Sequence, residues 1–175
     1  QMSAGSFDSK KIAAAVQLSY KRFNSNTRIY YSASKNNYTY KYMKSIVFAG
    51  GCFWGVEHYF KMVPGVKNTI VGYINGNYKF PTYEMVCTGL TGHTECCKVE
   101  YDTEETNILI LLEHFFFIID PTSLNKQGPD KGTHYRSGVY CYDKEDVKLT
   151  REYINIIKNC YTDPIVVEAE LAQEF

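Results

Sequence analysis

The chain has 175 residues, of which 45% are hydrophobic and 22% charged. That composition sustains one domain with a real core and excludes disordered, collagenous and two-domain readings. Nineteen basic residues balance nineteen acidic ones, so the whole-chain charge gives no support to nucleic-acid binding, and six cysteines are too sparse for a disulfide-stapled secreted scaffold.

Residues 1–44 hold eight Lys/Arg against one acid, Asp8, whereas residues 45–175 hold 11 basic against 18 acidic. The neutral total is therefore a basic arm cancelling an acidic domain. Within the arm Ile12, Val16, Tyr20 and Phe23 recur at helical spacing, and residues 24–42 are rich in Asn, Ser, Thr and Tyr without a period. The arm reads as a solvated or loosely docked segment, with mitochondrial or plastid targeting as the alternative. No secretory signal is visible. The longest apolar run, Ile108 to Ile119, is broken by Glu113 and His114 and is too short to span a bilayer. The expectation is a monomeric, cytoplasmic protein with neither membrane nor nucleic acid as partner.

The catalytic domain is expected over residues 45–175. Ser45 to Ala49 is β-prone, Gly50-Gly51 breaks the strand, and Cys52 to Val63 takes up helical period until Pro64-Gly65 stops it. Cys52, Val56, Tyr59/Phe60 and Val63 share one stripe. A strand follows at 68–73, then an Asn75-Gly76-Asn77 turn and a strand at 94–101. A mostly buried helix over 107–119 ends before Pro121. A strand at 136–142, an amphipathic helix at 144–159 and a last strand at 164–168 complete the pattern. Interleaved strands and helices without an internal repeat predict an α+β sandwich, a mixed β-sheet core flanked by helices.

Among the six thiols, Cys52 has the surroundings that favour the reactive thiolate. Two glycines let the backbone turn tightly after a strand, and the cysteine then meets the unpaired N–H groups and positive dipole end of a helix. Phe53 and Trp54 follow directly, placed to wall a pocket, with Trp54, the single tryptophan, as its floor.

Gly51-Cys52-Phe53-Trp54-Gly55-Val56-Glu57 resembles the signature of the peptide methionine sulfoxide reductase A family. Further matching stretches follow in order: Pro64-Gly-Val66, Val71-Gly-Tyr73, Pro81-Thr-Tyr-Glu84, Val86-Cys87, Thr91-Gly-His-Thr-Glu95, Asp120-Pro-Thr122 and Gln127 through Ser137. The resemblance covers about residues 45 to 168. It implies the family's ferredoxin-like α/β fold and reduction of the S epimer of methionine sulfoxide, free or in proteins. On this resemblance Cys52 attacks sulfur, and Glu95, kept neutral by burial, protonates the departing oxygen. Tyr83 and Tyr135 hold that oxygen by O–H donation, Phe53 and Trp54 receive the methyl group, and Asp130 fixes substrate and water. His134 stands where the family commonly has Gln. Cys52 ends as a sulfenic acid. No metal or organic cofactor is implied, only an external reductant: thioredoxin, glutaredoxin or a small thiol.

Three alternatives stay beside this reading. A thiol peroxidase could use the same cysteine, and a sulfoxide-binding homologue could lack recycling. The cluster Cys87, His93, Cys96 and Cys97 could hold a metal, but Cys96 and Cys97 on one strand point to opposite faces. Many family members recycle the sulfenic acid with cysteines in a C-terminal tail, and the sequence stops at Phe175 before such a tail. The internal resolving candidates are then Cys160, ahead of the Tyr161 to Pro164 turn, and Cys141; direct reduction by an external thiol needs neither.

Overall fold

The computed structural model describes residues 42–173 and 175; the arm through residue 41, with the helical spacing of Ile12 to Phe23, lies outside the described residues. Five strands form one sheet in the order β2-β3-β1-β6-β7, with β1 at Met43–Ala49, β2 at Val66–Ile74, β3 at Thr94–Asp102, β6 at Gly138–Cys141 and β7 at Glu168–Leu171. All neighbours run antiparallel except β6 and β7, which are parallel. Three longer helices are α1 (Phe53–Phe60), α3 (Ile108–Ile118) and α4 (Lys144–Ile157). A short α2 (Tyr83–Cys87) and a two-stranded hairpin, β4 (Lys126–Gln127) with β5 (Asp130–Lys131), complete the framework.

Strand alternation decides which side chains meet the helices. Ile46 and Phe48 of β1, Cys97 and Val99 of β3, and Val139 and Cys141 of β6 join Val56, Phe60, Leu111, Phe115, Tyr153 and Ile157 in one large cluster. Val47, Ala49, Cys96 and Tyr140 point the other way into a smaller one. Phe48 is central to the large cluster, stacked between Phe60 at 4.6 Å and Phe115 at 4.8 Å. Helix starts carry side-chain caps: Asn107 Oδ1 accepts from the N–H groups of Leu109 and Ile110, and Asp143 Oδ1 accepts from Asp146 N–H. Among the described residues, no helix is long and apolar enough to cross a membrane.

Three expectations are corrected. The last strand is Glu168–Leu171 and not 164–168: Val166 N–H donates to the Pro121 carbonyl at 2.8 Å, which keeps that stretch out of the ladder, and pairing with β6 begins where Glu168 meets Gly138. Helix α1 ends at Phe60, and Cys52 is its N-cap instead of a first-turn residue. The strand expected over 136–142 is shorter, because residues 133–135 form a 3-10 turn and pairing starts at Gly138.

Candidate active site

Cys52 sits where β1 hands over to α1. Gly51 makes the turn at φ +81°, a backbone region that L side chains rarely adopt. A Cβ there would come within 2.7 Å of Gln127 Cβ, so the turn also lies tight against β4. The Cys52 carbonyl accepts from Gly55 N–H at 3.1 Å, starting the helix, and the side chain is left half-buried and free.

Beneath this turn lies Glu95, 2% exposed, on β3. Its Oε2 accepts from Phe53 N–H at 3.0 Å, using one of the donors that a helix start leaves without a partner. Burial pushes the Glu95 carboxyl above its ordinary range; the Phe53 hydrogen bond opposes the shift and the charge of Asp130 adds to it. The buried acid and the half-buried thiol are thus tied to adjacent residues of one turn.

Aromatic side chains surround the pair. Phe53 is buried and its ring lies 5.8 Å from that of Tyr73, the residue directly opposite Glu95 in the β2–β3 ladder. Trp54 leans on Phe53 at 5.4 Å but is 66% exposed. It forms the solvent edge of the site, and the buried ring is that of Phe53. Tyr135 stands on the 3-10 turn Thr133–Tyr135; burial and then the Glu95 charge push its phenol up to about 12. Tyr73 is likewise raised to about 12 by burial and then by Glu95. Tyr83, on α2, has its phenol raised by hydrogen bonding to Cys87, then by the Cys87 charge, burial, Glu95 and Cys52. Phenols held in this way are protonated at neutral pH and serve as O–H donors.

The 3-10 turn is fastened to the acid's own strand. Thr94 Oγ1, one residue before Glu95, donates to the carbonyls of His134 at 3.1 Å and Arg136 at 3.2 Å. Arg136 donates from Nε to both carboxylate oxygens of Glu168 at 3.1 and 3.2 Å, from one terminal nitrogen to the Thr133 carbonyl, and from the other to the Asn75 carbonyl. Tyr140 donates its O–H to the same Glu168. Gln127 Nε2 donates to Ser137 Oγ at 2.9 Å and to the Asp120 carbonyl, and Asp130 pairs with Gln127 across the hairpin. Asp130 thereby reaches Glu95 and Tyr135 electrostatically.

Cys52, Phe53, Trp54, Tyr83, Glu95, Asp130 and Tyr135 therefore share one region. Cys141 is buried among the helix-facing side chains, 3.6 Å from Thr150 Oγ1, and burial raises its thiol to about 11. Cys160 ends the 3-10 turn after α4, beside Tyr153 and Tyr161. Two residues beside the site received no catalytic role from the sequence, Cys87 having been read only as a possible metal ligand. Tyr73 was marked by its strand register against Glu95, and Cys87 by standing one helical turn after Tyr83.

The family model for peptide methionine sulfoxide reductase matches residues 44–175. The chain is 50% identical over 126 residues to the peptide methionine sulfoxide reductase MsrA of Clostridium acetobutylicum, covering 72% of this chain and 78% of that protein. Among solved structures, reduced Mxr1 from Saccharomyces cerevisiae aligns with a TM-score of 0.74 at 33% identity, covering 79% of this chain and 81% of that one. Methionine sulfoxide reductase A of Corynebacterium diphtheriae aligns with a TM-score of 0.70 at 31% identity; 76% of this chain is covered, and the match spans 66% of that chain. Mxr1 in complex with Trx2 aligns with a TM-score of 0.60 at 23% identity, covering 81% of this chain and 85% of that one, a likeness of fold alone. From β1 to its last residue the chain belongs to the peptide methionine sulfoxide reductase family.

Proposed function

We propose that this chain reduces the S epimer of methionine sulfoxide, free or within a polypeptide, with Cys52 as nucleophile and Glu95 as general acid. The observation that carries the assignment is the buried Glu95 carboxyl hydrogen-bonded to the residue after Cys52. A sulfoxide loses its oxygen only when that oxygen is protonated, and a carboxyl raised by burial keeps its proton to higher pH than an exposed one.

In the reaction Cys52 Sγ bonds to the sulfoxide sulfur, and Glu95 protonates the oxygen while Tyr83 and Tyr135 donate hydrogen bonds to it. The oxygen passes to Cys52, the electron pair passes to the methionine sulfur, and the products are methionine and a Cys52 sulfenic acid. Phe53 forms the buried apolar wall for the substrate methyl and Trp54 its outer edge; Asp130 orients substrate from the hairpin. These steps need thiol chemistry and an outside reductant. A thioredoxin-type dithiol is the reductant we assign, in keeping with the solved complex of the yeast protein Mxr1 with Trx2. We place the chain in a reducing compartment such as the cytoplasm, in keeping with six cysteines too sparse for a disulfide-stapled scaffold.

The test is methionine formation from a blocked methionine S-sulfoxide with dithiothreitol, comparing the chain with Cys52→Ser and Glu95→Gln. Turnover lost in the first variant and slowed in the second supports the assignment. Equal turnover in all three contradicts it.

A further inference from the structure

We propose that His134 is a positioning residue for the reduction: its imidazole backs the Tyr135 ring and so fixes the direction in which that phenol donates to the sulfoxide oxygen. The inference rests on Tyr135 being such a donor, as in the proposed reaction.

The two rings are in contact, with centroids 4.1 Å apart and planes inclined at 45°. That is tighter than the usual spacing of aromatic pairs. His134 is the inner partner, 7% exposed, whereas Tyr135 is only half-buried and faces the site. At Gly132 φ is +142°, and an added Cβ would come within 2.6 Å of His134 Cε1. The glycine thus lets the backbone close on the imidazole and leaves that ring little room to swing.

The main chain of the turn is held separately. Tyr135 N–H donates to the Gly132 carbonyl at 3.0 Å, and the Thr94 hydroxyl donates to the His134 carbonyl at 3.1 Å. With the backbone fixed, the freedom left to Tyr135 is rotation of its side chain, and the imidazole restricts it. A phenol gripped through its ring keeps its hydroxyl for substrate. Because a hydrogen bond weakens steeply when misdirected, a loosened ring would cost rate more than binding.

Stability alone does not account for a histidine here. Among the described residues, His134 Nδ1 is buried without a hydrogen-bond partner. Such an atom destabilises the fold, and an apolar side chain of similar size would remove the penalty. What imidazole offers over an aliphatic group is a flat face for the phenol. Burial also lowers its affinity for a proton, against the charge of Asp130, so the ring stays neutral at pH 7.

The experiment measures kcat and KM with blocked methionine S-sulfoxide and dithiothreitol, and thermal denaturation, for the full chain and four variants: His134→Leu, His134→Gln, Tyr135→Phe and the double variant His134→Leu/Tyr135→Phe. Leucine fills the space without a flat face. His134→Leu is expected to lose about 10-fold in kcat with KM little changed and no fall in denaturation midpoint. His134→Gln, whose amide is planar, is expected to recover kcat. On the Tyr135→Phe background, where the O–H is already gone, the leucine should take little more. Wild-type kcat in His134→Leu, or the same loss from leucine on both backgrounds, overturns the proposal. A His134→Leu chain that fails to fold overturns it too, since the imidazole would then be a requirement of the fold. Tyr135→Phe with wild-type kcat overturns the donor role of Tyr135, and the role of His134 falls with it; no turnover by the wild type would instead overturn the reductase reading itself.

Discussion

Phe53 N–H donates to Glu95 Oε2 at 3.0 Å, so the first residue of the helix that presents Cys52 is held by the acid buried beneath it. The contact couples two demands that oppose each other. A hydrogen bond from a backbone N–H favours the carboxylate, and burial favours the neutral acid; burial prevails, and the carboxyl is shifted upward. In the proposed reaction the site therefore holds its proton donor in register with its nucleophile.

A pH dependence follows from that shift. Folding favours the protonated form of Glu95, so its contribution to stability is full below the ordinary carboxylate value of 4.5 and is lost as pH rises through the raised value. Thermal denaturation of the wild type and Glu95→Gln across this range should show wild type gaining relative to the variant as pH falls. In single-turnover kinetics Glu95→Gln is expected to lose roughly 10²–10⁴-fold in rate, together with the decline on the alkaline side that marks the acid.

Tyr135→Phe and Tyr83→Phe each remove an O–H donor that the proposed mechanism directs at the departing oxygen. Each is expected to slow methionine formation by up to about 10²-fold, with the larger part of the loss in kcat, because the bond strengthens as charge builds on oxygen. Steady-state kinetics of the two variants separate this from a simple binding defect, which raises KM alone.

Glu168 lies outside the reacting groups yet anchors them. Removing its carboxylate in Glu168→Ala takes the acceptor from Arg136 Nε and from the Tyr140 hydroxyl, whose residue is fully buried. Such losses cost about 1–3 kcal/mol when a buried donor is left without a partner. A lower denaturation midpoint is expected together with reduced activity, since Arg136 also holds the Thr133 carbonyl of the Tyr135 turn.

Gly51→Ala tests the turn itself. The added Cβ would meet Gln127 Cβ at 2.7 Å in a backbone conformation with φ +81°. A stability loss of more than about 1 kcal/mol is expected in chemical denaturation, with activity falling as Cys52 shifts against Glu95. The same change at Gly55, where an added Cβ meets nothing within 4 Å, serves as the comparison and should cost less.

Much of this arrangement was legible in the residues. Period and breakers located β1, α1, β2, β3, α3 and α4 within a few residues, because each buries a stripe or a face against the large cluster. The Cys96/Cys97 split across the sheet followed from alternation and is seen in their membership of different clusters. The last strand was misplaced because Ile165 and Val167 look like strand residues and do pack on the core, but hydrogen-bond partners, which the pattern does not encode, decide pairing. Helix α2 is too short to show a period; its signal was the Thr82 cap alone. Trp54 read as a pocket floor from its size, yet at the second position of α1 its ring turns to solvent while Phe53 turns inward. The Arg136, Glu168 and Tyr140 network joins residues up to 32 positions apart, and no local pattern announces it.

The account stands most directly on one measurement: methionine released from the S epimer of a blocked methionine sulfoxide, per chain and without reductant, by the wild type and by Cys52→Ser. It predicts one methionine per wild-type chain and none from the variant. Equal release by the two proteins, or none by either, would contradict it.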